Sequence, residues 1–247
     1  MVQVQLVRAM APRLRGVRAR VGVLEDVRGA AGDGSDSDTC NGAARERLHD
    51  GGHYEDALSV REAELAMARR IRAPEAHILI VQSNLACTYN MLGRDEEALS
   101  MRRDVYSGNL KLYGEENENT PRAANNYANS LVGLKHFEEA KSLMRKTIPV
   151  ARRVLGEGNE STLRTMCIYA EALSKDDGAT LDDLREAVTT LEGADRTARQ
   201  VLGGTHPTTV MVGRYLREAR AALSARKMRI CYPGYEDPSV AAAYLAS

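Results

Sequence analysis

Tryptophan is absent from this 247-residue chain and phenylalanine occurs once. A sheet-built core would draw on aromatic and β-branched side chains, so that scarcity argues against one. The four cysteines, at positions 40, 87, 167 and 231, make no CxxC pair and have no histidine at ligand spacing. Neither a zinc site nor a redox motif is indicated, and reduced thiols in a cytoplasmic protein are the simpler reading. No apolar run approaches the roughly 18 residues that a bilayer crossing requires, so no membrane partner is expected. Net charge is also missing, because 34 basic and 34 acidic residues cancel. A nucleic-acid binder would show a clustered basic footprint, so no nucleic-acid partner is expected.

Recognised catalytic signatures are missing too. There is no GxxxxGK[ST], HExxH or GxSxG, and the histidines at 49, 53, 77, 136 and 206 are scattered. Asp182-Asp183 and Glu138-Glu139 fall at helix starts, where negative charge complements the helix dipole. Asp176 and Asp177 lack the oxygen-ligand spacing of a calcium loop. We expect no enzyme activity, no cofactor and no metal.

What the chain does have is Ala, Leu, Arg and Glu throughout, with 43% apolar and 28% charged residues, a helix-forming mixture. It also repeats. Tyr113-Gly114-Glu115-Glu116-Asn117-Glu118-Asn119-Thr120 returns 42 residues on as Leu155-Gly156-Glu157-Gly158-Asn159-Glu160-Ser161-Thr162. Asn84-Leu85-Ala86 returns at the same step as Asn126-Tyr127-Ala128. A fixed period of about 20 to 50 residues marks stacked units, each too small to bury its apolar face alone.

Two helical patterns alternate. Phe137, Ala140, Leu143, Met144, Ile148, Ala151, Val154 and Leu155 draw one apolar stripe, which defines a second helix of a unit. A first helix opens at Asn119-Thr120-Pro121 or His206-Pro207-Thr208, with a Thr cap and an early proline, and runs to Gly93 or Gly133. The pattern predicts a lone second helix near 54–72, pairs over 75–112, 118–155 and 160–202, and a closing first helix over 207–225. Residues 1–42 read as a disordered leader and linker, 43–225 as the repeat array and 226–247 as a tail. Arg8, Arg13, Arg15, Arg18 and Arg20 without acidic neighbours resemble a transit peptide, but the absence of Ser in residues 1–24 favours a plain leader. Five residues are added around Ser174–Ala179, which predicts a longer, solvated turn. Pro149, inside a second helix, predicts a bend.

Ser83-Asn84-Leu85-Ala86-Cys87-Thr88-Tyr89 followed by Gly93-Arg94-Asp95-Glu96-Glu97-Ala98 resembles the tetratricopeptide repeat. The 42-residue length and Leu202-Gly203-Gly204-Thr205-His206-Pro207-Thr208-Thr209 make it similar to the variety found in kinesin light chains. The resemblance covers about residues 54 to 223. It implies an all-α, right-handed superhelix of antiparallel helix pairs (a tetratricopeptide repeat solenoid), whose first helices line a concave groove for peptide segments of partner proteins. It places in that groove Ile80, Ser83, Asn84, Cys87 and Asn90, then Arg122, Asn125, Asn126 and Asn129. Arg164, Cys167 and Glu171 follow, then Met211, Arg214 and Glu218.

An Asn amide both donates and accepts, so it pairs with an extended backbone of any sequence, while Arg offers a forked donor to carboxylates. We therefore expect Asn84, Arg122, Asn125, Asn126, Asn129 and Arg164 to hold an extended, acidic segment of another protein. The competing structural reading is that the asparagine bonds a neighbouring helix and the arginines pair with Glu118, Glu160 or Glu171. Two departures narrow the role. Ser83, Cys87 and Ile168 stand where a carboxylate-gripping co-chaperone needs polar groups, and residues 1–53 lack the sustained heptads of a motor light chain. A light-chain-like adaptor in the cytoplasm is the expected role. The alternative is a regulatory or sensor fragment acting by autoinhibition, or by weak self-association through an apolar N-terminal edge at Tyr54, Ala57, Leu58 and Leu65.

Overall fold

The computed structural model describes residues 51–231, and every described element is a helix. The proposed leader, Ala43–Asp50 and the chain beyond Cys231 lie outside the described residues. The chain divides into two compact units, 1–112 and 113–247.

The first unit holds α1 (Gly51–Arg70), α2 (Glu75–Met91) and α3 (Asp95–Tyr113, its last residue across the boundary). α1 is the lone second helix, and it packs on α2. Leu58 and Leu65 of α1 meet Val81 and Leu85 of α2, with Ile78, Tyr89, Leu92 and Met101 around them. This overturns the exposed-edge expectation. Ala57, Leu58 and Leu65 are 1%, 5% and 6% exposed, so they cannot offer a sticky edge. The helical spacing that makes them look like an edge is the stripe that α2 covers.

The second unit holds α4 (Asn119–Gly133), α5 (Phe137–Leu155), α6 (Glu160–Lys175), α7 (Leu181–Val201) and α8 (Pro207–Cys231). α4 with α5 and α6 with α7 form hairpins; α5 packs on α6 and α7 on α8, while the first helices α4, α6 and α8 also touch in sequence. Fully buried alanines (Ala128, Ala140, Ala151, Ala170, Ala187, Ala198, Ala219) let backbones approach between the larger Leu131, Met144, Leu163, Leu173 and Leu191.

Helix entrances repeat one device. Asn117 Oδ1 accepts from the Asn119 N–H, Asn159 Oδ1 from Ser161, and His206 Nδ1 from Thr208, at 3.0, 2.9 and 3.2 Å. The cap is thus not the threonine. Thr120 instead donates to the Gly114 carbonyl at 2.6 Å, within its own connecting loop, and Thr162 to the Ala151 carbonyl of α5 at 3.2 Å, which ties the α6 entrance to the preceding helix. Second helices end on left-handed Gly114, Gly156 and Gly203. First helices α2 and α4 end on left-handed Gly93 and Lys135, where Arg94 and His136 donate back to Tyr89 and Leu131 at 2.9 and 2.8 Å. Gly133, the expected stop of α4, is its last helical residue, and Lys135 holds the strained position. α5 continues unbroken through Pro149, and α8 runs to Cys231, beyond the expected end.

The added loop between α6 and α7 is anchored. Asp176 accepts from the Gly178 N–H and from Lys141 Nζ of α5, both at 2.9 Å, and Lys141 is 5% exposed. Arg226 of α8 donates to the Asp177 carbonyl at 3.1 Å, and Thr180 and Asp183 close a capping box into α7. The Lys141 ammonium and Glu138 also pair. Burial opposes the charge on Lys141, and its bonds to Glu138 and Asp176 more than offset that, so its pKa is raised. The Lys141 bond, with the Gly178 N–H, holds Asp176 below the ordinary carboxylate value.

Candidate functional site

Each hairpin of the second unit is fastened from inside. Tyr127 of α4 donates to Glu139 of α5, and its counterpart Tyr169 of α6 donates to Glu186 of α7 at 2.6 Å. Arg145 of α5 donates to the Tyr169 oxygen at 2.8 Å with its guanidinium over the ring, linking successive hairpins. Burial and the bond to Glu186 raise the Tyr169 pKa. These contacts fix the rotation of α4 and α6, and so decide which residues face outward.

The outward stripe of α4 is Arg122, Asn126 and Asn129, which follow the i, i+4, i+7 spacing of one helix face. Arg122 is exposed and pairs with Glu118 one turn earlier at 3.2 Å. Such an exposed pair contributes only about 0.3–0.5 kcal/mol and yields readily to another carboxylate. Asn126 and Asn129 are half-buried, and their amides have no hydrogen-bond partner among the described residues. Arg164, half-buried on the adjacent α6, stands 42 residues after Arg122 at the same repeat position.

Asn125 departs from expectation. It is 3% exposed, donates to the Ser161 carbonyl at 2.9 Å and accepts from Thr165 at 2.9 Å. Both ends of its amide therefore bind α6, and it is a structural clasp instead of a groove donor. One residue of helix rotation, about 100°, separates its role from that of Asn126. Cys167, at the same repeat position one unit later, is likewise buried at 1%. Asn84 is half-buried on α2 in the first unit, at the repeat position of Asn126. On that helix Ile80 is 60% exposed, where the second unit carries Arg122 and Arg164.

The far end of the second unit's first-helix face changes character. Glu171 and Glu218 occupy the repeat position of Asn129, 42 and then 47 residues apart. Glu171 pairs with Lys175. Residues that sequence reasoning missed, Lys141, Asp176, Tyr169 and Glu186, carry only weak signals: a charge within an apolar stripe, and a Tyr and Glu at matching repeat positions. Among the described residues no cluster of His, Cys, Asp or Glu is arranged to hold a metal, and no helix is long and apolar enough to cross a membrane.

Comparison with known proteins agrees with the hairpins. The tetratricopeptide repeat family model matches residues 122–160. BtubC (BKLC) from P. vanneervenii superposes with a TM-score of 0.57 at 18% identity, covering 90% of this chain and 93% of that one. Two structures of nearly identical TPR-like repeats from a Podosopora anserina protein described as a putative kinesin light chain, one of them of a point variant, give TM-scores of 0.62 and 0.60. Both are 21% identical, and they cover 79% and 78% of this chain and 90% of theirs. No curated protein sequence matches this one. The fold is that of tetratricopeptide repeats, built here on a 42-residue step.

Proposed function

We propose that this tetratricopeptide-repeat protein is an adaptor whose second unit binds an extended, acidic segment of a partner protein across α4 and α6. The observation that carries the reading is the stripe of Arg122, Asn126 and Asn129, with two uncommitted amides beside a weakly paired guanidinium. Amides that reach solvent and have no protein partner can exchange water for a peptide backbone, since each can donate and accept. Arg164 on the neighbouring helix supplies a second cation about 8–10 Å away, roughly three residues of extended chain. Cys87 and Cys167 are not in disulfides, which fits a reducing, cytoplasmic setting.

The test is fluorescence anisotropy of a labelled dodecapeptide carrying alternating Glu and Ser. Replacing Arg122 and Arg164 together by Ala should weaken binding about tenfold, and Asn126→Ala about threefold, while raised salt weakens the wild type toward the double variant. Unchanged affinity in the double arginine variant would reject the proposal.

A further inference from the structure

A cleft of about 80 Å³ opens between α6 and α8; its walls include Glu171, Lys175, Leu191, Tyr215, Glu218 and Ala222. It lies wholly within the second unit. Pockets for small organic ligands run to about 300 Å³ or more, so this one has room for the end of a single side chain.

Its charges are unevenly matched. Glu171 is already paired with Lys175. Glu218 is exposed and has no hydrogen bond or ion pair among the described residues. Arg214, four residues earlier and spaced for a helical ion pair, lies instead over the Tyr215 ring at 4.9 Å. The cleft thus joins an apolar wall, from the half-buried Tyr215 and Ala222 above the buried Leu191, to one carboxylate lacking a cation. A long cationic side chain has that same division, an apolar stem and a charged tip.

We infer that this cleft receives one lysine or arginine side chain of the bound partner, stem on Tyr215 and Ala222 and cation at Glu218. The inference rests on the peptide reading above and adds a rule of charge order to it. The acidic residues of the partner meet Arg122 and Arg164, and a basic residue follows toward α8. Since Glu171 keeps Lys175, one cation neutralises the cleft and a second is not favoured.

Two arms test it on the full chain. In the first, Lys is scanned through the positions flanking the acidic run of the labelled dodecapeptide, with norleucine as the apolar control. One or two adjacent offsets should tighten binding about threefold over norleucine. Glu218→Gln should abolish that gain, read within the variant as the ratio of lysine-peptide to norleucine-peptide affinity. No favoured offset, or a gain that survives Glu218→Gln, overturns the inference while the adaptor reading stands. In the second arm, a neutral Ser/Asn peptide with a single Lys is coupled by carbodiimide and the product mapped by mass spectrometry. Coupling at Glu218 supports the cation site even if the acidic peptide fails to bind. Coupling spread evenly over exposed carboxylates, or none at Glu218, overturns it.

Discussion

The hairpins α4–α5 and α6–α7 are two copies of one design, and they differ in ways that separate architecture from recognition. Inside, the copies agree. Tyr127 and Glu139 are answered by Tyr169 and Glu186, and the Asn117 cap by Asn159. Outside, they diverge. Where α4 presents Asn126 and Asn129, α6 has the buried Ile168 and then Glu171. The turns diverge as well, from the tight Leu134-Lys135-His136 link to the longer, anchored loop before Thr180. Contacts that set helix rotation are repeated, while residues pointing away from the hairpin vary, and that variable face is the one we propose for partner choice.

The largest effect should come from breaking the anchor that only the second hairpin has. Asp176→Ala removes the principal partner of a 5% exposed lysine, leaving it Glu138, whose side chain is 83% exposed. Unpairing a buried charge costs about 3–5 kcal/mol, and with Glu138 still present we expect about 2–3 kcal/mol by denaturant unfolding. Lys141→Met should cost less, because it removes the buried charge itself. The Asp176 pKa is depressed in the folded state, so its contribution is full above the unfolded value of about 4 and lost as pH falls through the folded value. Asp176→Asn should therefore flatten the acid limb of the stability profile below about pH 4. An unchanged acid limb would remove Asp176 from the account.

Neighbouring asparagines give the next contrast. Asn125→Ala removes two bonds that join α4 to α6, although the Thr165 hydroxyl still donates to the Ser161 carbonyl, and should cost about 1–3 kcal/mol while leaving peptide affinity intact in protein that remains folded. Asn126→Ala should do the reverse: little change in stability and weaker peptide capture. If both lose stability equally, the division between clasp and face is wrong.

The tyrosine fasteners follow. Tyr169→Phe removes a bridge between Arg145 and Glu186 and should cost about 1–2 kcal/mol in thermal or chemical unfolding. A loss below about 0.5 kcal/mol would show that the bridge does not set hairpin stability.

The fold was legible in the sequence because its signals recur: the 42-residue step, the helical stripes and the glycines that close second helices all appear more than once. The helix ranges lie close to those expected for the same reason. The site was only partly legible. Repeat position marks a residue as lying on a first helix but does not resolve Asn125 from Asn126, since a shift of about 100° decides between neighbour and solvent. Nor does it show that Lys141 turns inward, because its partner Asp176 sits in an insertion with no counterpart in the first hairpin. The stripe on α1 reads as an apolar edge because a helical pattern does not say whether a neighbour already covers it.

The smallest effect concerns the tight turn of the first hairpin. Lys135 adopts φ 62° at the repeat position where α2 ends in Gly93 at φ 73°. A side chain in the left-handed region costs about 1–2 kcal/mol, and glycine avoids it at the expense of a more flexible unfolded chain, worth about 0.4–1 kcal/mol. Lys135→Gly should then stabilise the protein by up to about 1 kcal/mol, raising the denaturation midpoint with no change in slope. The same exchange at Lys175, which is helical at the end of α6, should destabilise by about 1 kcal/mol from helix propensity alone. Opposite signs at the two lysines would show that the hairpins close by different means although their interiors match. Equal signs would mean that the turn of the first hairpin relaxes around Lys135, and that its left-handed residue stores no strain.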